Sequence, residues 1–304
     1  MTRLFLTGAS GFIGSHVTRA ALAAGSQVAA LVMPGDPLTR LQDVVGQMTL
    51  IEGEMKDLPG LRPVLAKWSP EACIHLAWYV EPGNYQDSPG NLSCLAESLT
   101  LLQELPQIHC NRVVVAGTVC EYDTDAGFLR EDSPTRPTTL YAASKLALNL
   151  LGQQLAAKAG FTLAWGRAFY LYGPSEDERR AVPGLIRSLL GRKPFPATLG
   201  EQIRDYLHVE DVASAFCTLA DKGAEGTYNI CSGNPVTMRA LMETVEEIVG
   251  HPGLIHFGER PANTWDPPFV CGDNHKLRDL GWKPRYTLRS GLTQTIDWWK
   301  KTAR

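Results

Sequence analysis

The sequence predicts an α/β chain: a doubly wound parallel sheet with helices on both faces, followed by a smaller mixed α/β lobe. Three observations predict it. Short apolar runs alternate with helical patterns through the first half. Some of those runs, such as Val113-Val114-Val115, are apolar on consecutive residues, as strands covered on both faces must be. The first run closes on a glycine turn that opens a helix.

The strands are expected at residues 4–7, 27–33, 48–52, 72–77, 112–116 and 162–167. Helical patterns fall between them at 15–24, 61–67, 91–105 and 141–159. After about residue 172 proline and glycine become denser, as in Gly173-Pro174, Pro183-Gly184 and Pro267-Pro268. Helices remain expected at 182–190, 209–220 and 238–248. The division is therefore 1–172 for the sheet and 173–304 for the smaller lobe, with the chain crossing between them near 205–235 and 260–275. Ligands of such sheets lie at the carboxyl ends of the strands, where the second lobe closes over them.

With 304 residues the chain can bury a large core, and a net charge of −3 carries no basic surface for nucleic acid and no polybasic membrane patch. No apolar stretch is long enough to span a bilayer. The early apolar run is broken by Gly8, Gly11 and Gly14, so it reads as strand, turn and helix rather than as a signal peptide. These features predict a cytoplasmic protein. Its seven cysteines are odd in number, contain no Cys-x-x-Cys pair and sit mostly in apolar runs, which predicts buried free thiols. A zinc site built from His251, His256 and Cys271 is the sharper alternative, but that spacing matches no ligand pattern, and no metal is expected.

Thr7-Gly8-Ala9-Ser10-Gly11-Phe12-Ile13-Gly14 has glycine at every third position. Gly8 suits the tight turn, Gly11 a close backbone approach to a pyrophosphate, and Gly14 the packing of helix on strand. The pyrophosphate would then meet the free N–H groups at the helix start, on Phe12 and Ile13. A carboxylate at the end of the second strand would grip the ribose 2′-hydroxyl, but that position is Val32. Asp36 follows in a turn, and Arg40 is within reach to pair with a 2′-phosphate. NADP(H) is therefore the expected cofactor, with NAD(H) left open.

Tyr141-Ala142-Ala143-Ser144-Lys145 sets a tyrosine and a lysine four apart at the start of a helix, on one face. A nearby ammonium favours the phenolate and draws the tyrosine toward neutral pH, so that it can exchange a proton with a carbonyl oxygen. Thr118, at the end of the 112–116 run, would offer its hydroxyl to the same oxygen.

With these residues in place, the chain resembles the extended short-chain dehydrogenase/reductase family, in its nucleotide-sugar epimerase/dehydratase branch. The likeness extends nearly end to end. It rests on the glycine turn, Ile74-His75-Leu76-Ala77, Asn91, Thr118, Tyr141 to Lys145, Arg167 with Leu171-Tyr172-Gly173-Pro174, the run Arg204 to Ala213, Tyr228-Asn229-Ile230 and Leu280-Gly281-Trp282-Lys283-Pro284.

The resemblance implies a Rossmann-type sheet and a catalytic set of Thr118, Tyr141 and Lys145. It implies Leu76, Ala77, Trp78 and Ala168 along the cofactor, and Glu54-Met55 at the adenine. Arg204 and Arg260 fall where the family grips the diphosphate of a nucleotide sugar, and Trp78, Tyr79, Cys120 and Tyr170 are expected around the sugar. The alternative for Arg204 is an ion pair with a carboxylate, and Asp205, His208 and Asp211 read as structural. Helices 91–105 and 141–159 form a dimer interface in this family, which implies a homodimer; the stripe Leu92, Leu95, Leu99 and Leu102 also suits ordinary core packing.

Two departures bear on the reaction. Dehydratases of the branch carry Asp-Glu directly after the threonine, where this chain has Val119-Cys120, with Glu121 one position later. Epimerases hold NAD through an acid that Val32 replaces, and often have asparagine where this chain has Tyr170. The resemblance therefore points to reduction of a nucleotide-linked 4-keto-6-deoxy sugar by NADPH. A 4-epimerase with tightly bound NAD, a reductase of non-sugar ketones and a non-catalytic dinucleotide-binding protein are the alternatives.

Overall fold

The computed structural model describes residues 2–262 and 266–302. Seven parallel strands form the main sheet. Across it they run Gly226–Ile230, Thr162–Ala168, Arg112–Thr118, Ala72–His75, Arg3–Thr7, Gln27–Val32 and Thr49–Glu52. Strand order reverses between Arg3–Thr7 and Ala72–His75, which pair directly, and this opens a crevice at their carboxyl ends.

Two apolar layers cover the sheet. One joins its first face to helices Phe12–Ala23 and Val209–Asp221, through Val17, Ala21, Val212, Phe216 and Leu219. The other joins its second face to helices Leu58–Trp68, Gly90–Gln107 and Leu140–Ala159, through Leu65, Leu101, Leu105 and Leu148. Val113 and Val115 face one layer and Val114 the other, which is why that run is apolar without interruption.

A second core lies among helices Ala181–Leu190, Met238–Val249 and Leu288–Thr302. Beside it a three-stranded sheet pairs Ile203–His208 with Tyr170–Tyr172 and Pro235–Thr237. The Gly226–Ile230 strand and the Val209–Asp221 helix return to the first sheet, and Cys271–Gly272 pairs with Phe128–Leu129. Residues 1–172 therefore do not complete the sheet by themselves.

Some boundaries differ from expectation for identifiable reasons. The second strand stops at Val32, because Met33 is exposed and Pro34-Gly35 turns the chain. The Arg112–Thr118 strand extends two residues past Ala116, since the Thr162–Ala168 strand continues to pair with it. In the stripe on helix Gly90–Gln107, Leu102 is buried and Leu95 and Leu99 pack partly on the core, but Leu92 is exposed. All seven cysteines are free thiols, four buried and three partly so. His256 is engaged by Glu259 at 2.9 Å, and Cys271 lies buried against Asp205.

His75 ends its strand inside the sheet, with Nδ1 2.6 Å from the Thr7 hydroxyl and Nε2 2.8 Å from that of Ser98. Burial, then the charge of Lys145, lowers its pKa to about 3. The unfolded chain takes up this proton near pH 6.5, whereas the folded chain resists it to about 3. Stability is thus complete above 6.5 and falls with pH below it, by about 1.4 kcal/mol per pH unit from this group. Chemical unfolding of wild type and His75→Gln across pH 4–7 should show a shallower acid loss in the variant; equal slopes would count against it.

Candidate active site

The glycine turn lies at the crevice where strand order reverses. Gly8 has φ +73°, and a Cβ there would lie 2.7 Å from the Ala77 backbone nitrogen. At Gly14 a Cβ would lie 1.9 Å from the Gly8 carbonyl oxygen. The third glycine therefore lets the helix close onto the turn itself. Gly11 caps helix Phe12–Ala23, and no acidic side chain occupies its first turn. The amides at Phe12 and Ile13 precede the point where intrahelical bonding begins, so they can serve an anion. Leu76 and Ala77, just past the Ala72–His75 strand, border the turn, with the Leu76 amide on the Thr7 carbonyl. These free amides at the helix start, beside the crevice, fit a dinucleotide pyrophosphate.

Beyond the second strand, Asp36 accepts the Ser10 hydroxyl at 2.6 Å and the Leu38 amide at 2.9 Å. The Arg40 Nε donates to the Ser175 carbonyl at 2.9 Å. Sequence reading treated Asp36 as an ordinary turn residue, and nothing local in the sequence revealed its contact with the glycine turn. Glu54 pairs with Lys56 beyond the edge strand Thr49–Glu52, while Met55 packs on the core.

Thr118 ends its strand level with Ala168, and its hydroxyl accepts the Cys120 amide at 3.3 Å. Thr139 caps the next helix by accepting the Ala142 amide, which sets Tyr141 and Lys145 in its first turns. The Tyr141 ring stands edge-on to Tyr85, with centroids 4.9 Å apart, and to Trp78 at 6.4 Å. The Trp78 indole donates to Asn91 Oδ1 at 2.8 Å, and the Asn91 amide group holds the Tyr85 and Ser88 carbonyls. Asn91, in the first turn of helix Gly90–Gln107, and Tyr85, in the loop before it, thus support the Tyr141 site.

The electrostatics correct one expectation. Lys145 donates to the Ala116 carbonyl at 2.9 Å and lies 3.7 Å from the centre of the Trp78 ring. Burial lowers its pKa to about 7, against the opposing pull of Glu121. The Tyr141 phenol is not drawn toward neutrality: burial, then the Cys120 thiol, raises it, while the Thr118 hydroxyl pulls the other way. Tyr141 therefore holds its proton at neutral pH, the state that a proton donor needs.

Glu121 is fully buried, and its charge is felt at Lys145. Its carboxylate accepts the Thr118 amide at 2.8 Å, the Trp165 indole at 3.0 Å and Arg167 Nε at 2.8 Å. Thr118 and Glu121 together make a capping box, a signal present in the sequence as Thr-x-x-Glu. Cys120 is the partly exposed member of the turn, with its thiol pKa raised by burial.

On the smaller-lobe side, Arg204 is buried and bonds Asp266 at 2.5 Å, so the ion-pair alternative describes it in this structure. Its guanidinium lies 5.4 Å from the Tyr170 ring, which packs at a tilt of 43° against Tyr206 at 5.7 Å. Arg260 is exposed, with its backbone amide on the Ala197 carbonyl. Tyr79 is exposed and donates to Glu81 at 2.9 Å. Asp205 accepts from Ser232, Gly233 and Gly272, His208 caps its helix, and Asp211 accepts the Arg285 and Tyr286 amides; all three hold backbone in place.

Comparison with known proteins identifies the family. A model of the NAD dependent epimerase/dehydratase family matches residues 4–231. The GDP-6-deoxy-D-mannose reductase of Pseudomonas aeruginosa is 30% identical, over 99% of this chain and 98% of that protein. A UDP-glucose 4-epimerase of Azospirillum brasilense is 28% identical, over 99% of this chain and 92% of that protein. Among solved structures, the UDP-glucose 4-epimerase of Thermus thermophilus in complex with NAD superposes with a TM-score of 0.84 at 25% identity, covering 98% of this chain and 99% of that one.

Proposed function

Because the chain belongs to the NAD-dependent epimerase/dehydratase family, we propose that it reduces the C4 ketone of a nucleotide-linked 4-keto-6-deoxy sugar. One observation carries this reading. Thr118, Tyr141 and Lys145 would form the proton-donating set, with burial raising the Tyr141 phenol, while the adjoining turn offers Val119 and Cys120, and its carboxylate, Glu121, is taken up by Arg167, Trp165 and the Thr118 amide. That arrangement can protonate an oxygen but lacks the dehydratase pair. The similarity to a GDP-6-deoxy-D-mannose reductase supports the same class.

When bound, the dinucleotide supplies the hydride. Tyr141 gives its proton to the C4 oxygen, and the Thr118 hydroxyl donates a hydrogen bond to that oxygen. Lys145, held here by the Ala116 carbonyl and Trp78, would bind the nicotinamide ribose, and its charge would favour the phenolate left behind. The glycine turn with Phe12 and Ile13 would hold the pyrophosphate, Glu54 and Met55 would flank the adenine, and Leu76, Ala77, Trp78 and Ala168 would line the remainder. Arg204 and Arg260 would hold the substrate's diphosphate, with Asp266 yielding Arg204 as it enters. Tyr79, Cys120 and Tyr170 would border the sugar.

NADP(H) follows from Val32 and Arg40. Asp36 favours a second reading, since a carboxylate beside Ser10 suits an unphosphorylated ribose, and retained NAD suits a 4-epimerase. Absorbance at the reduced-nicotinamide band separates the two, using NADPH or NADH with a panel of nucleotide-linked 4-keto-6-deoxy sugars. Oxidation of NADPH is expected, with Arg40→Ala weakening use of NADPH about tenfold and leaving NADH unaffected. Interconversion of ordinary nucleotide sugars by protein carrying its own NAD would replace this reading with the epimerase.

Leu92, Leu150 and Leu151 are exposed on the two helices expected to pair, at 54%, 61% and 48%. They support a homodimer through that face, which sedimentation of Leu150→Glu should convert to monomer; a wild-type monomer would dispose of it.

A further inference from the structure

The segment 173–180 runs from one side of the crevice to the other. At its start, His16 Nε2 lies 3.0 Å from the Pro174 carbonyl and Arg40 donates to that of Ser175. Ser175 has φ +69°, a conformation that costs a non-glycine residue and redirects the chain there. At its far end, Arg179 reaches Glu81 at 3.5 Å and Arg180 reaches the Val80 carbonyl at 3.3 Å. The Arg180 guanidinium also lies 5.4 Å from the Tyr85 ring, and that ring abuts Tyr141.

Glu176 stands midway along this segment. Its Oε2 is shielded from solvent and has no hydrogen-bond partner among the described residues. Toward the smaller lobe it is within electrostatic reach of Tyr206, which packs against Tyr170, the ring beneath Arg204. Glu176 thus lies on the segment whose far end meets Tyr85, the neighbour of Tyr141. A shielded polar atom without a partner is rare and demands an explanation, and a ligand group that completes it is one.

We infer that Glu176 reads the sugar: its Oε2 bonds a ring hydroxyl of the substrate's glycosyl group and so selects which sugars bind. This rests on the nucleotide-sugar reading above. Nothing in the sequence marks Glu176, because its lack of a partner is visible only in three dimensions. The groups facing it are Arg180, Asp177, Tyr206 and the Gly173 amide. Burial outweighs Arg180 and raises the carboxyl to about 8, so it is a neutral acid at pH 7 and can both donate to and accept from a hydroxyl.

The test is calorimetric titration of NADP-loaded wild type, Glu176→Gln and Glu176→Leu with two pairs of probes: UDP-glucose against UDP, and GDP-mannose against GDP. For the pair that wild type binds, Glu176→Leu should weaken the nucleotide sugar about tenfold, the loss of one buried hydrogen bond. It should leave the nucleoside diphosphate within twofold, and Glu176→Gln, which keeps a donor and an acceptor, should restore most of the sugar affinity. Wild-type affinity for the sugar should also fall between pH 7 and 9 while Glu176→Gln stays level, a readout that survives if Glu176→Leu fails to fold. Equal losses for sugar nucleotide and nucleoside diphosphate, or no loss for either, would overturn the inference. Wild type that binds neither pair overturns the nucleotide-sugar reading itself, and this inference with it.

Discussion

Tyr141→Phe should lower turnover by about 10²–10⁴-fold, the range contributed by a positioned general acid. The variant removes one oxygen and leaves the ring, which is wedged edge-on against Tyr85 and Trp78. Packing, folding and the glycine turn should therefore survive, and cofactor affinity should change little. The raised phenol makes the comparison clean, because wild-type Tyr141 carries its proton throughout the neutral range. Single-turnover oxidation of the reduced cofactor, beside a fluorescence titration of cofactor binding, checks both halves. Turnover close to wild type would remove Tyr141 from the mechanism.

A second large effect is expected at Glu121. Glu121→Leu should cost about 3–5 kcal/mol of stability, since it strands the Arg167 charge inside the protein. Arg167 and Glu121 are 4% and 0% exposed at the side chain, so water cannot replace the lost partner. The Thr118 amide and Trp165 indole lose their acceptor in the same step. Urea unfolding measures the difference directly. A loss below about 1 kcal/mol would mean that the pocket relaxes and admits water. Activity lost with stability intact would instead put Glu121 in the chemistry, as in a dehydratase.

The sheet was legible in the sequence because strands covered on both faces leave an uninterrupted apolar trace, as Val113 to Val115 do. The glycine turn and the Tyr141–Lys145 spacing were legible because each is local, within eight residues. The Gly226–Ile230 strand was not, since Gly-Thr-Tyr-Asn-Ile is neither apolar throughout nor regularly alternating. Its Asn229 is buried to accept the Tyr122 hydroxyl and donate to the Leu129 carbonyl. Helix Leu288–Thr302 was likewise missed, with Gly291 placed where a Cβ would meet the Tyr172 hydroxyl at 2.2 Å. The protonation of Tyr141 was misjudged because spacing gives the distance between two residues along a helix but not where a lysine points. Lys145 points to Ala116 and Trp78, and that choice belongs to residues far away in the chain.

The return of Gly226–Ile230 to the edge of the sheet has a consequence for biosynthesis. Until residue 230 has left the ribosome, the Thr162–Ala168 strand lacks its outer neighbour, and the sheet face that later receives helix Val209–Asp221 is bare. An open strand edge and an uncovered apolar face both invite association with other chains. The nascent polypeptide must therefore cross a window of some sixty residues in which its first lobe is compact but unsealed, and chaperone demand should be concentrated in that interval of translation.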